Sequence, residues 1–410
     1  MPLTAHHHPL APLDGAEADM LARVQALAQE HIGPKANAAN RGDAFAWDTF
    51  RLLASHGVIA TAFPRELGGT DASMLLRVRM IEELARVCST AASLVTGTDL
   101  SSRPIVAGAS PALASQTVPL LARGEKQSAF ALTEPGAGSD LARLRTVATR
   151  DTGGYCLQGV KKFITRASVA DLFVVVASVA DGPGGSRGLT AFLVPRDAAG
   201  LRVSPIIPKM GWHGVPIAEV YLDDVHVPTS HRLGEEGHGM AIAQDTLLRA
   251  RIGHAAIALG RMTGALQIAA QYSGHRQVSG KAVGEHQGIQ WMLADMAARI
   301  EAARCLIYCA AQRYDRKDAD SSIHASIAKM HATDLCMRVV VDCAQLLGGN
   351  GYLDAYPIER FLRDAKMNQI GEGTSEVHKN LIGRHVMKAA SAMPQHPCLD
   401  FEPNLFGDAR

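Results

Sequence analysis

The hydrophobic period of this chain changes twice, and that change restricts the fold more than any single motif does. Up to about residue 130 the segments are rich in Ala and Leu and carry apolar residues at helical spacing. One helix is predicted over residues 44–56, with Asp43 and Trp47 near its start and Gly57 stopping it. From about 131 to 230 short β-branched runs take over, such as Leu172-Phe173-Val174-Val175-Val176-Ala177. Turn clusters such as Asp181-Gly182-Pro183-Gly184-Gly185 separate them. Short strands punctuated in this way indicate a small β-barrel or sandwich. From about 238 to 390 long helical stripes return, including Ile289, Leu293, Met296, Ile300 and Ala303. Ile323, Ile327, Met330 and Leu347 belong to a second such stretch, so a helix bundle is expected. The fold class is α+β: helices, then a barrel, then a bundle.

With 47% hydrophobic and 20% charged residues, the 410-residue chain can bury a large core. Its formal charge of +1 gives no bulk drive toward nucleic acid or anionic membrane. Seven scattered cysteines do not form a disulfide framework. Cys305 and Cys309 stand at i, i+4 without a second ligand pair, which favours buried small hydrophobes over a metal site. No secretory signal and no apolar run of about 20 residues is visible. A reducing cytosol is the expected compartment. The run His6-His7-His8 reads as a tail.

Three glycine-rich motifs could carry chemistry. Leu132-Thr133-Glu134-Pro135-Gly136-Ala137-Gly138-Ser139-Asp140 stands at the switch from helix to strand. Its glycines permit close backbone approach, and Thr133 and Ser139 add hydroxyl donors for a phosphate or a ring edge. Leu141 occupies the third glycine of a dinucleotide fingerprint, and no βαβ unit follows. No Gly-Lys-Ser/Thr follows either. A plain connector is the alternative. Gln345-Leu346-Leu347-Gly348-Gly349-Asn350-Gly351-Tyr352 closes a helix. It holds more glycine than a cap requires, so either a cap or a ligand or subunit contact fits. Gly371-Glu372-Gly373-Thr374-Ser375-Glu376 puts a carboxylate on a loop between two glycines. Glu372 is either a general base whose pKa burial raises or a solvated loop acid. Thr374 and Ser375 would cap a last helix. His213, His254, His275 and His286 read as structural or exposed histidines.

In this order and spacing the motifs resemble the acyl-CoA dehydrogenase family of flavoproteins. The likeness runs nearly without gaps from about Asp43 to Met387. It takes in Gly211-Trp212-His213-Gly214, Leu222-Asp223-Asp224-Val225-His226-Val227-Pro228 and Glu359-Arg360-Phe361-Leu362-Arg363-Asp364-Ala365-Lys366. The most specific stretch is Gln369-Ile370-Gly371-Glu372-Gly373-Thr374-Ser375-Glu376. The resemblance implies an N-terminal helical domain (1–130), a middle β-barrel (131–237) and a C-terminal four-helix bundle (238–390), with a tail at 391–410. It implies a homotetramer, or a dimer, binding FAD between subunits.

Residue by residue, the resemblance implies that Phe130, Leu132, Thr133, Gly138 and Ser139 line the flavin, with Ser139 also beside the thioester. Phe163 and Thr165 would cover the flavin, and Arg276, Gln345, Gly348 and Gly349 would hold a neighbouring subunit's adenosine diphosphate. Thr374 and Glu376 would touch the cofactor again. Glu372 would take the α-proton while flavin N5 accepts a β-hydride. Ser139, Asp99, Arg251, Gly371 and Gly373 would meet the substrate, an acyl-CoA or acyl-carrier-protein thioester. Ala250 leaves Glu372 as the base where some branches use the residue before the arginine. Electron-transferring flavoprotein or oxygen would reoxidise the flavin. A flavin oxidase or monooxygenase, and a non-catalytic scaffold, are the rival readings of the same fold. No metal is implied.

Some positions depart from the family pattern. Phe163 replaces a usual Trp and Arg166 a frequent Asn, which alters flavin packing and redox-partner contact. Ser279 and Ala282 replace a usual Phe and Pro on the adenine side. Gly371 replaces a frequent Tyr, which should widen the acyl pocket for a branched or ring-bearing group. Asp99 and Arg103 put charge on the acyl-cavity segment: they would recognise a polar substituent, pair with each other, or lie on an exposed loop.

Overall fold

The computed structural model describes residues 12–39, 42–180, 186–394 and 398. The expected turn at Asp181–Gly185, the run His6–His8 and most of the 391–410 tail lie outside them.

Six helices come first: α1 (Gly15–Ala26), α2 (Ala36–Ala39), α3 (Trp47–Ser55), α4 (Met74–Val87), α5 (Ser89–Gly108) and α6 (Pro111–Ala122). The helix expected over residues 44–56 is α3. Ser73 and Ser110 cap α4 and α6, each accepting a backbone N–H three residues on. Helix α4 is buried nearly all round, including Arg77, Arg79, Glu82 and Glu83.

Eight strands form one sheet: β1 (Ser128–Ala131), β2 (Val147–Asp151), β3 (Gly154–Thr165), β4 (Leu172–Ala180), β5 (Ser186–Pro195), β6 (Leu201–Val203), β7 (Ile217–Pro228) and β8 (Arg232–Leu233). Their order is β6-β7-β3-β2-β4-β5-β8, with β1 parallel to β4. The sheet curls about its own core of Leu157, Phe173, Val175, Phe192 and Val220. Strand β1 seats the start of the first glycine-rich loop directly on this barrel.

The rest is helical, broken by one small hairpin. Helix α7 (Gly239–His275) leads into β9 (Gln277–Val278) and β10 (Lys281–Ala282). Then come α8 (Gln287–Asp315), α9 (Ser321–Leu347), α10 (Ile358–Ile370) and α11 (Ser375–Ala392). Helices α4 and α7 meet backbone to backbone: a Cβ on Gly260 would sit 2.1 Å from the Glu82 carbonyl oxygen. The buried stripe of α9 is Ala325, Ala328, Ala332, Leu335 and Val339, whereas Ile323, Ile327 and Met330 are only half-buried. Small residues let the helices approach closely, so the bulky side chains take the flanks.

Candidate active site

Glu372 lies on the short link between α10 and α11. Its φ is +55°, in the left-handed region, and Gly373 follows at +97°. A non-glycine residue held there stores strain that the surroundings must compensate. Helix α9 supplies that compensation. Lys329 Nζ donates to the Gly373 carbonyl oxygen at 2.6 Å. Asp334 accepts from Gln369 Nε2 at 2.9 Å and from Ser375 Oγ at 2.7 Å, tying both sides of the link. Thr374 caps α11 by accepting from the Val377 N–H. His378 is fully buried beneath the link. A Cβ on Gly373 would lie 3.1 Å from its Nε2, so glycine is required twice over.

The Glu372 side chain is 15% exposed, and His254 Nε2 lies 4.0 Å from its Oε1. Burial raises its pKa above the ordinary carboxylate value, while the charges of Lys329 and Arg251 pull it back. Among the described residues neither cation makes an ion pair with it. Arg251 keeps a buried Nε without a hydrogen-bond partner among these residues. Burial lowers Lys329 to about 8 against the pull of Glu372. The result is a buried carboxylate with no direct counter-ion in a positive surrounding. Such a group is a stronger proton acceptor than a solvated carboxylate.

The first glycine-rich loop is anchored through Glu134. Its carboxylate accepts from the Arg145 and Thr146 N–H groups at 2.6 and 3.0 Å. It also accepts from Thr146 Oγ1 at 2.5 Å and from Lys161 Nζ at 2.7 Å. Lys161 also donates to the Leu132 carbonyl oxygen at 3.0 Å. Beyond this anchor Gly136, Gly138 and Ser139 are exposed, Thr133 and Phe130 half-buried, and Leu132 buried. An added Cβ meets nothing within 4 Å at Gly136, Gly348 or Gly349. Phe163 is 56% exposed at the end of β3, with φ +58°, and Thr165 is half-buried two residues on. Arg276, Gln345, Gly348, Gly349 and Glu376 are exposed. Open glycine backbone, an exposed aromatic and an exposed arginine fit a large planar cofactor with a diphosphate arm.

The structure revises three expectations. Asp99 does not pair with Arg103. It is buried on α5 and held by Arg77 at 2.9 Å and Arg249 at 2.9 Å, while Arg103 pairs with Asp245 at 2.6 Å. Arg166 is not at a redox-partner surface. It is fully buried, its guanidinium over the Phe45 and Phe50 rings, and it donates to Thr98 Oγ1 and the Leu94 carbonyl. The space at Gly371 is not simply empty: a Cβ there would meet Met367 Cε at 2.8 Å and His254 Cε1 at 3.5 Å.

Sequence reasoning passed over Lys329, Asp334, Glu134 and His254. Lys329 left a signal: it is a charge on the alanine stripe of α9, at i+4 from Ala325. The hairpin after Arg276 was too short to show a strand period. Ser279 and Gly280 make its two-residue turn, with φ of +52° and +81°.

Models of the N-terminal, middle and C-terminal domains of acyl-CoA dehydrogenases match residues 15–125, 129–225 and 237–387. The chain belongs to the acyl-CoA dehydrogenase family. It is 36% identical to the cyclohexane-1-carbonyl-CoA dehydrogenase of Geobacter metallireducens over 90% of this chain and 96% of that protein. Butyryl-CoA dehydrogenase from Megasphaera elsdenii superimposes with a TM-score of 0.87 at 34% identity, over 92% of this chain and 99% of that one. The FAD complex of PigA does so with a TM-score of 0.86 at 26% identity, over 92% and 98%. This family member is thus an oxidoreductase acting on CH–CH bonds, with FAD as its cofactor. None of the described helices is long and apolar enough to cross a membrane.

Proposed function

We propose that the chain dehydrogenates an acyl thioester between Cα and Cβ, with Glu372 as the base. The observation that carries this reading is Glu372 itself. It is a carboxylate on a strained, clamped link, desolvated, with two cations nearby and no ion pair to either. Burial makes it a stronger base than a solvated carboxylate, and Lys329 and Arg251 keep it ionised enough to act. The proton from Cα goes to Glu372. The electron pair of that C–H bond becomes the new double bond as hydride leaves Cβ. The Glu372 N–H donates to the thioester carbonyl oxygen and so stabilises the developing enolate charge. Bound FAD supplies the two-electron acceptor.

Phe130, Leu132, Thr133, Gly138 and Ser139 form the loop against the flavin, with Phe163 and Thr165 over it. Thr374 and Glu376 meet it beyond the base. Arg276, Gln345, Gly348 and Gly349 serve the diphosphate of a neighbouring copy in a homotetramer or dimer. Their exposure supports that placement, as does the exposure of Tyr352, Leu353, Val386 and Met387. Ser139, Arg251, Gly371 and Gly373 border the acyl and pantetheine arm. The acyl group is branched or ring-bearing. One observation supports this: the Geobacter relative is named for a cyclohexane ring. The scattered cysteine spacing fits a cytosolic enzyme.

A panel of thioesters on coenzyme A and on acyl-carrier protein, added anaerobically, tests this reading. The bound flavin should bleach with branched or cyclic substrates and stay oxidised in Glu372→Gln, whose turnover should fall by at least about 10³-fold. Mixing the reduced protein with oxygen or with electron-transferring flavoprotein then separates an oxidase from a dehydrogenase. Full turnover by Glu372→Gln would remove the base assignment.

A further inference from the structure

We propose that His254 is a positioning residue for the base, a neutral imidazole held with its proton on Nε2 and aimed at the Glu372 carboxylate. The proposal rests on the reading of Glu372 as base. It starts, however, from a chain of hydrogen bonds whose direction is fixed at its far end.

Arg261, on α7, is fully buried. A guanidinium only donates. Its Nε and Nη2 donate to Ser89 Oγ at 3.1 and 2.9 Å, and its Nη1 to Asn368 at 2.5 Å. Asn368 must therefore turn its oxygen to Arg261. That leaves its Nδ2, an obligatory donor, 3.2 Å from His254 Nδ1. Nδ1 must accept, so the ring proton sits on Nε2. Nε2 is the atom that faces Glu372 Oε1 at 4.0 Å.

The ring has little freedom to turn away. It stacks on Trp212, with centroids 5.6 Å apart and planes at 27°. Trp212 is itself tied to Asp364, through its N–H at 2.6 Å to Oδ1 and its Nε1 at 2.8 Å to the carbonyl oxygen. The titratable groups on the elements around His254 are Arg261 and Arg251 on α7, Lys329 on α9, His378 on α11 and Glu372 on the link. Arg261 and Lys329 oppose a second proton, and only the Glu372 carboxylate would favour one. Burial with the charges of Lys329 and Arg261 pushes His254 down to about 3, so it stays neutral at any working pH. A neutral Nε2–H can hold a carboxylate without stealing its proton. A shift of about 1 Å closes the gap to hydrogen-bond distance, as sites tighten when substrate enters. The bond would favour the ionised base and fix which oxygen faces the α-proton.

His254→Phe keeps the stack and removes the donor. In the FAD-loaded protein we expect kcat to fall about tenfold at neutral pH, with KM within about twofold. The acid limb of kcat/KM should move up by about one pH unit. His254→Gln restores an N–H and should recover most of both effects. An unmoved acid limb and unchanged kcat in His254→Phe would overturn the proposal. So would an equal defect in both variants with no shift of the limb, which marks packing alone. A second readout needs no turnover. In holoenzyme with ¹⁵N-labelled histidine, the resonance lost in His254→Phe should show Nδ1 bare and Nε2 protonated from about pH 6 to pH 9. The opposite tautomer or an imidazolium would also overturn it. Failure of the base reading looks different: Glu372→Gln stays active while the tautomer is as stated.

Discussion

Asp99 and Glu372 are both largely desolvated carboxylates with two cations near them, yet the structure treats them in opposite ways. Asp99 is gripped by Arg77 and Arg249, and Arg249 is held in turn by the Tyr314 hydroxyl at 3.0 Å. The two guanidiniums overcome the desolvation cost and pull its pKa from 3.8 to about 2. Glu372 faces two cations at a distance, and desolvation wins: its pKa rises. Contact, not the count of neighbouring charges, decides the outcome. A carboxylate with saturated oxygens is structural; one left without direct partners keeps its lone pairs for a substrate proton.

The sharpest way to break this contrast is Asp99→Asn. It strands two buried guanidiniums and should cost about 3–5 kcal/mol in denaturant unfolding of the FAD-loaded protein. Glu372→Gln should leave stability unchanged or raise it by about 1 kcal/mol, because a desolvated charge is removed. A large stability loss in Glu372→Gln, with none in Asp99→Asn, would reverse the assignment of roles.

Acid separates the two as well. The Asp99 pKa is depressed in the folded state, so its contribution is present above pH 3.8 and is lost as pH falls toward 2. Nearly two pK units correspond to about 2.5 kcal/mol. Glu372 has the opposite sign. Its raised pKa means the folded protein holds that proton more tightly, so its contribution is full below pH 4.5 and lost as pH rises through the folded value. Wild type minus Asp99→Asn stability should therefore shrink in acid, and Glu372→Gln minus wild type should shrink too. Unfolding curves from about pH 2 to pH 8 check both trends.

The two carboxylates also show what a sequence discloses. The order of helices, strands and helices was legible because hydrophobic period is local. Glu372 stood out as a candidate because two glycines mark a link where a carboxylate can be displayed, and the family resemblance gave it the part of base. Its clamps were not, since Lys329 and Asp334 lie more than thirty residues away on another helix. Asp99 drew attention because the resemblance puts it on the segment that lines the acyl cavity, but its partners come from α4 and α7. Nothing local in the sequence pairs Asp99 with Arg249 rather than with Arg103, four residues on. His254 was invisible as a site residue for the same reason. Its meaning comes from Asn368 and Trp212, which reach it only in the folded bundle.

A third buried carboxylate, Glu134, lies between the extremes. It has a direct cation in Lys161, which burial pushes down to about 8, and it pins the first glycine-rich loop. Glu134→Gln should cost about 2–3 kcal/mol of stability, less than Asp99→Asn because one cation rather than two is stranded. It should also weaken FAD retention on gel filtration by about tenfold in affinity. Unchanged retention would mean that the backbone of residues 132–139 is held without it.

Lys329 offers the finest adjustment. Its ammonium both holds the Gly373 carbonyl and pulls the Glu372 pKa down through its charge. Lys329→Met keeps the length of the side chain and removes the charge. The acid limb of kcat/KM should then move up by about one pH unit, because the base loses an electrostatic stabiliser. Stability should change by less than about 1 kcal/mol, since the cost of burying an ammonium goes with it. Arg251 still faces the carboxylate, so activity well above the shifted limb should approach that of the wild type. If the limb stays in place while activity drops at every pH, Lys329 acts through the backbone of the link. The charge around Glu372 would then come from Arg251 alone.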